Sequence, residues 1–207
     1  MTLSGDIRFL FQNLDMLRFR DWCEYLLVMN NHTHIFCGLM KPDHAREAAI
    51  LDHFWKQYRL QVPDHPVFAL ADSNRLNLST CIPTILHGDE GRGRKRSAFL
   101  VMNYYSMLGR GLATLKGKDK YVKLLPNYEG HSLTSRFLFA AMPKLMYTGK
   151  REHVFHSLLA LVAEESQDLL HNGVMDRLAS RGKFTFALLQ VSGDWPFLSR
   201  SEEHTSE

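Results

Sequence analysis

The sequence predicts an α/β protein: a helical N-terminal region, then an incomplete mixed sheet with helices. Three observations predict it. Apolar residues recur at helical spacing through the first eighty residues. From Cys81 onward the texture changes to short runs of strand-forming residues. Two helical stretches then separate the earlier of these runs from the last one, and helices lying between strands indicate a mixed sheet. The expected division is a helical region over 1–80 and an α/β core over 81–199. No internal repeat and no low-complexity segment interrupts it.

The elements follow in order. Between Asp15 and Met29 the residues Phe19, Trp22, Leu26 and Met29 mark one face of a helix, and Asn30-Asn31 is its stop. A second helix starts near Pro42-Asp43, with Ala48, Leu51, Trp55 and Tyr58 as its stripe. Pro63 and Pro66 break the pattern, and Asp72 to Asn77 is a polar loop. Ile82 to Leu86 is a short apolar strand, and Gly88 to Arg96 reads as a glycine-rich, charged turn. Ala98 to Tyr105 is rich in strand formers, and Tyr121 to Leu125 is a candidate third strand. Ser132 to Met142 and Arg151 to His171 read as helices, the second stopped by Asn172-Gly173. Phe184 to Val191 is a buried type of strand that runs into Gly193-Asp194-Trp195-Pro196.

Composition bounds the function classes. Hydrophobic content of 45% with 23% charged residues is that of an ordinary globular chain. Its formal charge of +3 permits a polyanionic partner such as nucleic acid without requiring one. Cys23, Cys37 and Cys81 are odd in number and far apart, which fits neither a disulfide framework nor a zinc motif. A reducing compartment, nuclear or cytoplasmic, is the simplest expectation. No apolar run approaches the roughly 20 residues of a membrane span, so no membrane partner is expected.

Two acidic sites have matching contexts. Asp89 and Glu90 follow the first strand in His87-Gly88-Asp89-Glu90-Gly91, and Asp194 follows the last in Ser192-Gly193-Asp194-Trp195. If those strands are neighbours, their carboxylates converge. Converging carboxylates are the oxygen ligands that Mg²⁺ or Mn²⁺ takes, and two such ions can clamp the attacking and leaving oxygens of a phosphodiester. The bland reading is that each Gly-Asp step only turns the chain. That suffices for either acid alone; the matched pair favours a shared site, with Asp89 and Asp194 as catalytic acids and Glu90 as a further ligand.

Arg92, Arg94, Lys95 and Arg96 follow at once and could hold a nucleic-acid backbone, or simply keep a hairpin tip soluble. A phosphate-binding loop is excluded, because Arg94 and Lys95 stand where Lys and Ser/Thr are required. His32, His34 and Cys37, and separately His153 and His156, are close enough in sequence to share a metal, but neither group has a complete ligand set. A serine nucleophile elbow is absent.

The strings HGDEGRGRKR (87–96), GHSLTSRFLF (130–139) and GDWP (193–196) resemble those of an uncharacterised protein family abundant in microalgal genomes, similar to mobile-element debris. That resemblance covers Trp22 to Leu198 and implies no activity. The order of strands, helices and acids more remotely resembles the front half of a ribonuclease-H-like transposase core. There the first acid ends the first strand and the second follows the fourth, positions matched by Asp89 and Asp194. A third acid, on a later helix, would lie beyond Ser199. Arg200 to Glu207 (RSEEHTSE) resembles the translation of a common short-read sequencing adapter, so a truncated reading frame is expected. Without that tail, which holds one Arg and three Glu, the charge is +5. Three readings stand: a fragment of a transposase-like, metal-dependent polynucleotidyl transferase or nuclease, silent as truncated; a non-catalytic basic module that binds nucleic acid or protein; or a decayed reading frame without function.

Overall fold

In the computed structural model of the chain, residues 17–29, 32–39, 41–92, 98–108, 136–176, 181–193 and 197–198 are described. Helix α1 (Phe19–Glu24) runs into a π-helical segment (Tyr25–Met29). Helix α2 spans His44–Gln61 and α3 spans Pro66–Asp72. Strands β1 (Cys81–Arg92), β2 (Ala98–Ser106) and β3 (Arg136–Pro143) precede the long helix α4 (Glu152–His171). Strands β4 (Val174–Asp176) and β5 (Gly182–Gly193) follow. These strands form one mixed sheet in the order β3-β2-β1-β5-β4. The β1–β5 pairing is parallel; β1–β2, β2–β3 and β4–β5 are antiparallel. The expected α/β class is observed.

Several elements differ from the sequence expectation for clear reasons. Ser132 to Met142 is not a helix: from Arg136 it is β3, paired with β2. Its Ala140, Ala141 and Met142 are helix formers, but buried Phe137 and Phe139 flank exposed Leu138, and that period of two satisfies a sheet face. The stretch from Gly88 is not yet a turn, because β1 continues in register with β2 to Arg92↔Ala98. Pro66 does not end structure but starts α3, where its missing N–H costs nothing at the first helical position. The three-residue edge strand β4 has no sequence signal. The candidate strand Tyr121 to Leu125 lies outside the described residues. Helix α2 is where its apolar stripe predicts it, and its cap explains its start: Asp43 accepts from the Arg46 N–H, while Glu47 accepts from the Asp43 N–H.

The N-terminal helices share one core with the sheet. Phe19 of α1 stacks on Tyr104 of β2 at 4.2 Å and meets Phe186 of β5 edge-on. Trp55 of α2 donates its indole N–H to the Cys81 carbonyl at the start of β1. A buried polar network ties the same regions together. Arg181 donates to Glu47 of α2 at 2.5 Å, to the Thr33 hydroxyl at 2.6 Å and to Asp176 of β4 at 3.0 Å.

Helix α1 lacks a side-chain cap of its own, since Arg18 occupies that position. Glu165, on α4, supplies it across the core. Its carboxylate accepts from the Phe19 and Arg20 N–H groups at 3.1 and 3.4 Å and from Arg18 Nε at 3.1 Å. Burial pushes the Glu165 carboxyl above its ordinary range, against the pull of Arg18 and these N–H groups. A carboxyl whose folded pKa is raised favours the fold when protonated. Its contribution is complete below the unfolded pKa and is lost as pH rises through the raised value. Glu165→Gln, neutral throughout, should remove that component. Urea midpoints of both proteins from about pH 4 upward should therefore converge or cross; curves parallel across the whole range would refute the assignment.

Candidate functional site

The parallel pairing of β1 with β5 ends at His87↔Ser192 and Gly88↔Gly193. Asp89 and Asp194 are the residues that follow this last pair. The strands that carry Gly88 and Gly193 are therefore neighbours, and they run in one direction. Asp194 itself lies outside the described residues.

The glycines do more than turn the chain. The ring of Phe197, 1% exposed, lies against both, and it meets Phe155 of α4 edge-on at 5.9 Å. A Cβ on Gly88 would fall within that ring. A Cβ on Gly193 would strike the Gly88 carbonyl oxygen and stand 2.5 Å from the ring. Glycine in a strand marks such a close approach.

The alternation of strand side chains then sorts the acids. Gly88 and Glu90 belong to the face that Phe197 and α4 cover. Glu90 has only 7% of its side chain exposed and accepts from Lys144 Nζ at 2.9 Å. Asp89 is exposed, on the opposite face, in register with Val101 of β2. Asp89 and Glu90 are thus not brought together, and the Lys144 ion pair occupies the second acid. Arg92 closes the β1–β2 ladder, while Arg94, Lys95 and Arg96 lie outside the described residues.

Beside Asp89, on its own face, stands a polar row that the sequence reading misses. His87 pairs across the sheet with Asn103 of β2 and with Ser192 of β5. His87 Nδ1 lies 3.1 Å from Ser192 Oγ, and the Ser192 hydroxyl donates to the Leu86 carbonyl at 3.4 Å. Asn103 is 8% exposed, and its Oδ1 is buried without a hydrogen-bond partner among the described residues. A signal is present in the sequence: each Gly-Asp step is preceded by a polar residue, so strand alternation sets His87 on the face of Asp89.

The remaining candidates resolve differently. The rings of His32 and His34 are 5.3 Å apart, but no group of three His, Cys, Asp or Glu able to hold a metal occurs among the described residues. His153 and His156 are exposed on α4. All three thiols are free and buried; burial pushes Cys23 and Cys37 up and raises Cys81 to about 12. None is therefore held as a thiolate nucleophile at neutral pH. No helix among the described residues is long and apolar enough to cross a membrane. Compared with known proteins, the chain matches no family model, no curated protein and no solved structure.

Proposed function

We propose that this chain carries part of a transposase-like, metal-dependent polynucleotidyl transferase or nuclease. In this reading Asp89 and Asp194 hold Mg²⁺ or Mn²⁺, and Arg92, Arg94, Lys95 and Arg96 touch the phosphates of nucleic acid. The observation that supports it is the parallel β1–β5 pair, which closes on Gly88↔Gly193, each glycine being followed in the sequence by an acid. Crevices beyond the carboxyl ends of adjacent parallel strands are where open α/β sheets bind ligands. Asp89 fits a hard cation, being an exposed carboxylate on the face opposite the Glu90–Lys144 ion pair. Glu90, on the other face and tied to Lys144, does not share that role. Asp89 and Asp194 would be the residues that hold such an ion, and a divalent ion bound there would supply Lewis-acid chemistry toward a phosphodiester. The chain's own part is to fix the Asp89 carboxylate on a paired strand, just past the last β1–β5 pair, and to steer the phosphate backbone with cations.

The test uses labelled DNA with Mg²⁺ or Mn²⁺, offered both to this chain and to the product of the full transcript. Cleavage that disappears on Asp89→Asn and on Asp194→Asn is the expected outcome for the active form. Replacing Arg92, Arg94, Lys95 and Arg96 by Ala should flatten the logarithmic salt dependence of binding by about 0.9 for each phosphate no longer neutralised. Binding that needs the basic cluster, in a full product whose cleavage never appears, would establish the non-catalytic module instead.

A further inference from the structure

We propose that a trough at the starting ends of β1 and β5 binds a phosphate group through Arg75, Asn77, Lys183 and Thr185. The inference goes beyond the metal-dependent reading and does not rest on it. The trough has a volume of about 410 Å³, within the range of small-ligand clefts. It lies beside the first parallel pair, Cys81↔Thr185, whereas Asp89 stands further along β1, roughly 26 Å from Cys81 at the rise of a strand. Helix α3 sets one rim by closing on a Schellman motif. The Arg75 N–H donates to the Leu70 carbonyl and the Asn74 N–H to the Ala71 carbonyl, with Asn74 in the left-handed region at φ 56°. The Arg75 side chain is therefore carried by a fixed turn; it is exposed and pairs with no acid among the described residues.

The rest of the lining is also made of donors. Asn77 Oδ1 accepts from the Ser79 N–H, so the NH₂ of that amide is the side left for a ligand. Lys183 and Thr185 are two apart on β5 and share a face. Lys183 Nζ gives one proton to the His171 carbonyl and keeps two. Thr185 is 2% exposed; beside the weakly accepting Cys81 thiol, its Oγ1 finds no partner of hydrogen-bond geometry among the described residues. Such a group is costly unless something satisfies it. No carboxylate lines the trough among the described residues. Arg181 lines it too, but Glu47 and Asp176 balance that charge, so Arg75 and Lys183 supply the attraction. Basic residues do belong at helix C-terminal ends, where Arg75 follows α3 and Lys183 caps α4. That role accounts for their charge. It does not account for the buried Thr185 hydroxyl, or for donors from two separate segments lining one trough without an acid. A phosphate group accepts from several directions and carries the charge that Arg and Lys take.

The experiment is run in EDTA without divalent ions, at constant ionic strength, so that neither Asp89 nor a metal enters it. Binding of inorganic phosphate is read by phosphorus NMR, with a nucleoside, its monophosphate and a single-stranded oligonucleotide as competitors. Wild type should bind phosphate. Arg75→Gln and Lys183→Gln should each weaken binding about tenfold, the loss expected for one charge-assisted hydrogen bond. Thr185→Val, close in shape but without the hydroxyl, should weaken it by a smaller factor. Replacing Arg92, Arg94, Lys95 and Arg96 by Ala should leave it as in wild type. Arg75 is exposed, so Arg75→Gln tests the site even where Lys183→Gln does not fold. Displacement by the monophosphate identifies a small phosphorylated ligand, displacement by the oligonucleotide alone a polynucleotide backbone, and displacement by neither free phosphate; each supports the site. No phosphate binding by wild type, binding unchanged in Arg75→Gln, or displacement by the nucleoside would overturn the inference and leave the metal-dependent reading standing.

Discussion

Replacing Phe197 by alanine is expected to cost about 3–5 kcal/mol of stability, the range for an aromatic ring removed from a closed core. The ring is 1% exposed and fills the space that two glycines leave open where the β1–β5 pairing ends. Truncation leaves a cavity that the sheet cannot collapse to fill, because its walls are backbone held by the β1–β5 ladder. The reciprocal substitutions press from the other side. Gly193→Ala drives a methyl group into the Gly88 carbonyl, which is backbone and cannot rotate away. Gly88→Ala meets only the Phe197 ring, which can tilt, so it should be the milder of the two. Combining Gly88→Ala with Phe197→Ala should then cost less than the sum of the two single changes, since the added methyl enters vacated space. Chemical unfolding of the wild type, the two single variants and the double variant measures this; strict additivity would show that ring and glycine do not share the volume.

This packing also explains how much of the site is legible in the sequence. The repeated Gly-Asp step is visible in the letters, and with it the idea that two strands end side by side. Its cause is not visible, because the ring that demands both glycines comes from Phe197, more than a hundred residues from Gly88. Alternation separates Asp89 from Glu90, but only once β1 is known to run on to Arg92. Glycines and charges at 88–96 read locally as a turn, and the pairing with β2 overrides that preference. Helices α2 and α4 are legible because their apolar stripes extend over 18 and 20 residues. Strand β3 is not, since Ala140-Ala141-Met142 suits a helix and only the pairing with β2 decides otherwise.

Removing the charge of Arg181 should be the other large effect. Its guanidinium, 16% exposed, faces Glu47 at 2.5 Å and Asp176 at 3.0 Å, whose side chains are 2% and 0% exposed. It also donates to Thr33, whose hydroxyl in turn donates to Glu47. Helix α2, the Thr33–Ile35 turn and the β4–β5 hairpin are therefore held by one cation. Arg181→Met keeps much of the apolar stem that lies over Phe184, where the guanidinium carbon sits 4.8 Å from the ring. What it deletes is the charge that two buried carboxylates share. Breaking a buried pair in this way costs about 3–5 kcal/mol, chiefly because the remaining charge is stranded away from water. The same reasoning predicts a rescue. Glu47→Gln and Asp176→Asn, added to Arg181→Met, remove the stranded charges and should recover a large part of the loss. In the wild-type background those two changes should instead destabilise, because they take away the carboxylates that balance Arg181. Denaturant midpoints of the wild type, the single, the double and the triple variant complete the cycle. A loss below about 1 kcal/mol for Arg181→Met, the level of an exposed ion pair, or a triple variant no more stable than Arg181→Met, would show that this network does not hold the N-terminal helices to the sheet.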